Sequence, residues 1–213
     1  MTTFLLIRHG ESEANLKRFF AGQCDVALTP LGHQQAQCTA DFVAANYHVD
    51  AVYASDLRRA YDTGIHIASC FGLPVLSEPG LREIFSGQWQ GKTFDELQTS
   101  YTDSYSCWLT DIGNACCPDG ETVAQLAGRV YDTICRIAEE NPGRTVAIAT
   151  HATPIRTLQW RMSGQPLSHM KDIPWVSNAS VSELRWENGV LTPVKISQDA
   201  HLADMQTRFP PNV

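Results

Sequence analysis

Short apolar runs alternate along this chain with stretches whose apolar residues recur every three or four positions. Phe4-Leu5-Leu6-Ile7 is apolar throughout, which predicts a strand buried on both faces. Asp50–Ala54, Pro74–Leu76 and Thr145–Thr150 predict further short strands. Thr29-Pro30 marks a helix start with proline in the first turn, and that helix is predicted to reach about Asn46. A second helix is predicted from Asp56 to about Cys70, where Gly72-Leu73-Pro74 stops it. Thr122 and Gln125 form a capping-box pair ahead of Val123, Leu126, Ala127, Val130, Ile134, Ile137 and Ala138, a single apolar stripe that Asn141-Pro142-Gly143 ends. A helix from Pro154 to about Met162 follows, then strands near Ser180–Trp186 and Val190–Ser197 joined by an Asn188-Gly189 hairpin turn.

Strands that alternate with helices predict an α/β fold, here a three-layer sandwich whose mostly parallel sheet carries helices on both faces. The stretch from Thr93 to Pro118 breaks the pattern. It carries Phe94, Tyr101, Tyr105 and Trp108, and is predicted to form a small inserted helical lobe over the site. Residues 1–213 are expected to form a single domain, with a lid at about 93–118 and a loose tail at about 203–213 that contains Pro210-Pro211.

Composition narrows the partners. With 43% hydrophobic and 18% charged residues among 213, a packed core is expected and global disorder is not. A formal net charge of −7 argues against nucleic acid or an anionic membrane surface, yet leaves a small anionic substrate open. Met1-Thr2-Thr3 leads straight into the first strand and no apolar run is long enough to span a bilayer, so a cytoplasmic location is expected. The seven cysteines are odd in number and lack a C-x-x-C spacing, so they read as small hydrophobes and free thiols; the Cys116-Cys117 pair lacks a second ligand pair nearby. Oligomeric state is not legible.

Two junctions carry candidate chemistry. Arg8-His9-Gly10-Glu11 follows the first strand, and His151 directly follows Thr145–Thr150. Ligands in open α/β sheets bind beyond the carboxyl ends of strands. There an arginine offers a planar fork suited to phosphate, and a histidine offers a nucleophilic nitrogen. Two such junctions in one sheet would bring both imidazoles to one rim. Gly10 would permit a sharp exit from the strand. No Gly-rich phosphate loop ending in Lys-Ser/Thr is present.

Leu6-Ile7-Arg8-His9-Gly10-Glu11-Ser12 resembles the signature of the histidine phosphatase superfamily, also called the phosphoglycerate-mutase-like family. Ser55-Asp56-Leu57-Arg58-Arg59-Ala60, Leu81-Arg82-Glu83-Ile84 with Gly87-Gln88-Trp89-Gln90-Gly91, Asp119-Gly120-Glu121-Thr122 and Ala149-Thr150-His151 resemble four further blocks in the family's order, spanning roughly residues 3 to 185. The resemblance implies that His9 is the nucleophile, forming a phosphohistidine, and that Arg8, Arg59 and His151 hold the phosphoryl oxygens. Arg59 takes this role because it precedes the alanine of the matching block; Arg58 is then expected to face solvent. Glu83 is implied as general acid and then base. Asn15 and Gln23 are further phosphate-binding candidates in the loop after His9, and Ser12 could serve likewise. Glu11 is a weaker candidate, Glu121 is read first as a helix-start residue, and Lys17 and Arg18 as solvated. His9, His151 and Glu83 could in principle hold zinc, but two arginines beside them would repel a dication, so neither metal nor cofactor is expected.

The segment 93–118 has no Lys or Arg but contains Asp95, Glu96, Asp103 and Asp111, a poor clamp for a bisphosphate. A phosphatase acting on small phosphomonoesters is therefore expected, its substrate having an uncharged or aromatic part near Phe94, Tyr105 or Trp108. A cofactor-dependent phosphoglycerate mutase and a non-catalytic phospho-ligand binder are the alternatives. Gln90, where the family often has Glu, and Ala152-Thr153, in place of the usual Gly, depart from the pattern, and the extra side chains of Ala152-Thr153 would narrow the pocket.

Overall fold

The computed structural model describes residues 1–207. Its strands are β1 (Thr2–Arg8), β2 (Ala51–Ala54), β3 (Val75–Ser77), β4 (Thr145–Thr150), β5 (Val181–Glu187) and β6 (Val190–Gln198). They form one sheet in the order β3-β2-β4-β1-β5-β6. The first four of these run parallel, β5 is antiparallel to β1, and β6 is antiparallel to β5. The helices are α1 (Glu13–Lys17), α2 (Pro30–Asn46), α3 (Arg58–Phe71), α4 (Phe94–Ser100), α5 (Thr102–Thr110), α6 (Val123–Glu140) and α7 (Ala152–Ser163).

Alternate side chains of β1 divide between two cores. Leu5 and Ile7 pack with Ala40 and Val43 of α2 and with Ile67 and Ala68 of α3. Phe4 and Leu6 pack with Leu126 and Ile134 of α6 and with Ile155 and Leu158 of α7. β1 is apolar at every core position because both of its faces are covered. Each such side chain contributes about 1.5–3 kcal/mol relative to exposure.

Helix ends follow local chemistry. Thr122 caps α6 in a reciprocal pair with Gln125. α7 starts two residues before the predicted Pro154, which sits in its first turn, where a missing N–H removes no helical hydrogen bond. α3 starts two residues after the predicted Asp56, whose carboxylate instead pairs with Arg82. The short α1 escapes periodicity altogether; Ser12 and Asn15 cap it reciprocally. The 93–118 segment forms α4, α5 and a 3-10 turn at Ile112–Asn114. It packs through edge-on aromatic contacts: Trp89 lies 5.7 Å from Tyr105 and 5.9 Å from Trp108, and Phe20 lies 5.1 Å from Trp108.

The expected loose tail needs correcting at its start. Ala200–Met205 forms a 3-10 segment with Leu202 buried, and Gln35 Nε2 donates to the Met205 carbonyl at 2.6 Å and to Thr207 Oγ1 at 3.0 Å. The rest of that tail, Pro210-Pro211 included, lies outside the described residues. All seven cysteines are free, and burial pushes the Cys117 thiol up to about 12. No helix among the described residues is long and apolar enough to cross a membrane.

Gly10 serves a close approach rather than a left-handed turn, since its φ is not positive. A Cβ there would overlap the Gly32 carbonyl, and one on Gly32 would overlap the Glu11 carbonyl. The first turn of α2 thus rests directly on the backbone that leaves β1. Gly32→Ala is expected to lower unfolding free energy by about 1–3 kcal/mol, the usual range for overpacking. Urea denaturation measures this, and an unchanged midpoint would contradict the approach.

Candidate active site

β1 and β4 are paired so that Arg8 lies opposite Thr150, and Ala54 of β2 lies opposite Ala149. The residues that follow are therefore neighbours at one rim: His9, His151 and Ser55. The His9 amide donates to the Thr150 carbonyl at 2.9 Å, and the Ser55 amide to the Ala149 carbonyl at 3.0 Å. The two imidazoles meet edge to face with centroids 5.2 Å apart. His151 Nε2 hydrogen-bonds with Ser55 Oγ at 2.9 Å. Its Nδ1 is buried and has no partner among the described residues.

His9 has one assignable tautomer. Its Nδ1 lies 2.7 Å from the Gly10 carbonyl, which can only accept, so Nδ1 carries the proton and Nε2 the lone pair. Arg59 Nε donates to that Nε2 at 3.3 Å. Burial, then Arg59, then Arg8 hold the His9 imidazole well below its ordinary 6.5, against the opposing Gly10 carbonyl. Burial and Arg59 lower His151 as well. Both rings are neutral at physiological pH.

Arg8 and Arg59 are buried cations. Burial brings each down to about 10, Glu83 opposes that in both, and each remains charged. Arg59 is held from the loop after α1, where Nη1 donates to the Cys24 carbonyl at 2.9 Å and Nη2 to the Gly22 carbonyl at 2.8 Å. Arg8 Nη1 donates to the Val176 carbonyl at 2.6 Å. Arg58, one residue earlier on α3, is exposed and pairs with Asp62 at 3.5 Å.

Glu83 enters from the loop after β3. The Ile84 amide donates to its Oε1 at 2.8 Å, and the Thr153 amide, in the first turn of α7, donates to its Oε2 at 3.3 Å. Arg129 of α6 braces this loop, donating to the carbonyls of Gly80, Arg82 and Glu83. Its guanidinium also grips Glu121 in a two-point pair at 2.8 and 2.9 Å. Glu121 is therefore a brace, accepting from the Phe85 amide as well, and Thr122 is the helix cap.

Arg8, His9, Arg59 and Glu83 line a cavity of about 850 Å³. Asn15 lines it too, with its Oδ1 accepting from the Ser12 amide and hydroxyl and from Asn178 Nδ2. Ser12, capping α1, also lines it, as do Glu11, whose carboxylate accepts from Thr29, and Arg18. Gln23 and His151 do not. Gln23 Nε2 donates to the Glu83 carbonyl at 3.0 Å and its amide to Gln90 Oε1, so Gln23 and Gln90 tie the loop after α1 to the acid-bearing loop. Lys17 is a surface partner of Glu13. Among the described residues no three His, Cys, Asp or Glu side chains converge as metal ligands.

Several lining residues had no sequence signal. Arg156, Lys171 and Trp175 face the cavity from α7 and from the chain before β5, so cations reach it from outside the 93–118 segment. Asn178 Nδ2 donates to the His9 carbonyl at 2.9 Å and fixes the backbone that carries the imidazole. Only spatial neighbours mark these residues out, as His9 does for Asn178 across 169 positions.

The sequence profile of the histidine phosphatase superfamily, branch 1, matches residues 4–199. Phosphoserine phosphatase 1 of Hydrogenobacter thermophilus is 28% identical over 204 residues, covering 96% of each chain. The structure of Bacillus stearothermophilus YhfR matches with a TM-score of 0.90 at 27% identity, covering 95% of this chain and all of that one. Mycobacterial glucosyl-3-phosphoglycerate phosphatase Rv2419c, in a complex with VO3, matches with a TM-score of 0.84 at 26% identity, covering 92% and 99%. With a profile match spanning almost the whole chain, this protein belongs to the histidine phosphatase superfamily, branch 1.

Proposed function

We propose that this protein hydrolyses small phosphomonoesters, without a metal, through a phosphohistidine on Nε2 of His9. The observation that carries the reading is the Nδ1–Gly10 hydrogen bond, which leaves a lone pair on Nε2 inside a buried cationic pocket. Its phosphatase relatives, one named for phosphoserine and one for glucosyl-3-phosphoglycerate, support a small phosphorylated metabolite as substrate.

In the first step the Nε2 lone pair attacks phosphorus, the bond to the leaving oxygen breaks, and protonated Glu83 delivers its proton to that oxygen. The Gly10 carbonyl steadies the positive charge that develops on the ring. Arg8 and Arg59 balance the charge spread over the equatorial oxygens, where phosphoryl transfer gains most of its catalysis. Nδ1 of His151, which has no partner among the described residues while Nε2 faces Ser55 Oγ, supplies a third donor to the same oxygens. In the second step Glu83, now a carboxylate, takes a proton from water as that water attacks phosphorus; the P–Nε2 bond breaks and phosphate leaves. Asn15 lines the phosphate end of the cavity, and Gln23 acts on this chemistry by holding the Glu83 backbone. The 93–118 segment serves as the lid, contributing Phe94, Trp108 and Leu109 to the wall.

His9→Asn is expected to lower hydrolysis of 4-nitrophenyl phosphate by about 10³-fold or more and to abolish acid-labile, base-stable label after a quench with ³²P-substrate. Retained label in that variant would refute a phosphoenzyme on His9. Wild-type activity should survive EDTA, and 3-phosphoglycerate should be dephosphorylated rather than isomerised; primer-dependent isomerisation would favour the mutase alternative.

Glu83→Gln is expected to reduce kcat/KM, which reports the phosphorylation step, by about 10²–10⁴ for alkyl phosphates and by clearly less for 4-nitrophenyl phosphate, whose leaving group needs no proton. Equal losses of kcat/KM on both substrates would remove Glu83 from protonating the leaving group.

His9 and His151 also make stability pH-dependent. Their folded-state pKa values lie below the unfolded value near 6.5, so the unfolded chain binds more protons below that pH. Stability is fully present above pH 6.5 and is lost as the pH falls from there through the folded values, by at most about 1.4 kcal/mol per pH unit for each ring. Urea midpoints between pH 7.5 and 5.5 should fall for the wild type and flatten in the His9→Asn, His151→Asn double variant. A parallel slope in both would place the effect elsewhere.

A further inference from the structure

The cavity is far larger than a phosphate needs, and its volume falls within the range of pockets that enclose drug-sized ligands. The aromatic residues expected beside the substrate, Phe94, Tyr105 and Trp108, line the remainder. Tyr105 and Trp108 are buried to within a tenth of their surface and engaged with Trp89 and Phe20, and Phe94 is partly buried against the same cluster. Trp175 differs: it is 37% exposed and lines the cavity.

Trp175 is also unusually well fixed for an exposed ring. The Arg156 guanidinium covers it at 4.1 Å from the centroid, and Trp108 lies beside it at 6.4 Å, tilted by 30°. Arg156 is itself buried, donating through Nε to the Ile173 carbonyl at 2.7 Å and through Nη2 to the Lys171 carbonyl at 3.1 Å. On the other side of Trp175 in sequence, the Val176 carbonyl accepts from Arg8 and the Asn178 side chain donates to the His9 backbone. One short segment therefore joins His9 to an anchored aromatic ring that lies against a guanidinium and is partly exposed at the cavity.

Such a ring suits a planar partner, because stacking gains both apolar burial and favourable quadrupole contact. We infer that Trp175 is the platform for an aromatic or heteroaromatic leaving group, and that Arg156 is a positioning residue that holds the platform at a set distance from the phosphate centre. The inference rests on the phosphomonoesterase reading and specifies its substrate class.

The test is the selectivity ratio of kcat/KM for 1-naphthyl phosphate over glycerol 2-phosphate. Trp175→Ala should lower that ratio about tenfold, chiefly through KM for the naphthyl ester, and Trp175→Phe should recover most of it. Arg156→Met should shift KM for the naphthyl ester in the same direction. 1-Naphthol, the product, should bind the wild type more tightly than Trp175→Ala by calorimetry. An unchanged ratio in Trp175→Ala, or equal naphthol affinity in both proteins, would overturn the platform. If the wild type turns over neither ester, the hydrolase reading fails instead, and the naphthol titration still decides whether the ring site exists.

Discussion

The parallel pairing of β1 with β4 is the constraint on which the site depends. Backbone hydrogen bonds set that register, and side chains on both faces of β1 lock it, since a one-residue slip would exchange the two cores that Leu5 and Leu6 enter. Once Arg8 is opposite Thr150, the next residue on each strand is a histidine, and no loop is needed to bring the rings together. A site built at strand ends is held more closely than one built on loops. β2 extends the same logic by delivering Ser55 to His151.

The electrostatic character of the site follows from this placement. Two guanidiniums and two imidazoles share a buried space, and the arrangement relieves its charge by keeping both rings neutral. Glu83 is the carboxylate that Arg8 and Arg59 both sense, held at a distance by amides of its own loop and of α7. Carbonyls of Val176, Cys24 and Gly22 accept from these cations. Partial dipoles offset part of the burial without cancelling the charge, so the pocket stays ready for an anion.

Much of this was legible along the chain. Six strands and the main helices follow from periodicity and caps, since β1 and α6 each repeat one pattern long enough to be unambiguous. The convergence of Arg8, His9, Arg59 and Glu83 on one cavity follows from strand ends and block order. The braces were not legible. Arg129, Asn178 and Arg156 act through carbonyls and side chains remote in sequence, and an arginine on a helix looks the same whether it faces solvent or a loop. Acidic residues in the 93–118 segment mislead in a related way: their composition describes that segment alone, whereas the cavity also takes Arg156 and Lys171 from α7 and the chain before β5. Gly10 is expected to permit a sharp exit from β1, whereas the structure shows it letting the Gly32 backbone approach.

The chain before β5 has two duties that are separable in principle and joined here by geometry. Val176 and Asn178 fix Arg8 and His9, while Lys171 and Ile173 are fixed by Arg156. Trp175 lies between these two sets of anchors, so its position relative to His9 is set at both ends. A family that shares one reaction core can change what it accepts by altering residues of such a segment without touching the nucleophile, because the backbone contacts to Arg8 and His9 involve a carbonyl and one amide side chain rather than the residues that face the ligand. Under the proposed platform, specificity is carried by a side chain adjacent to, but not part of, the bonds that hold Arg8 and His9 in place.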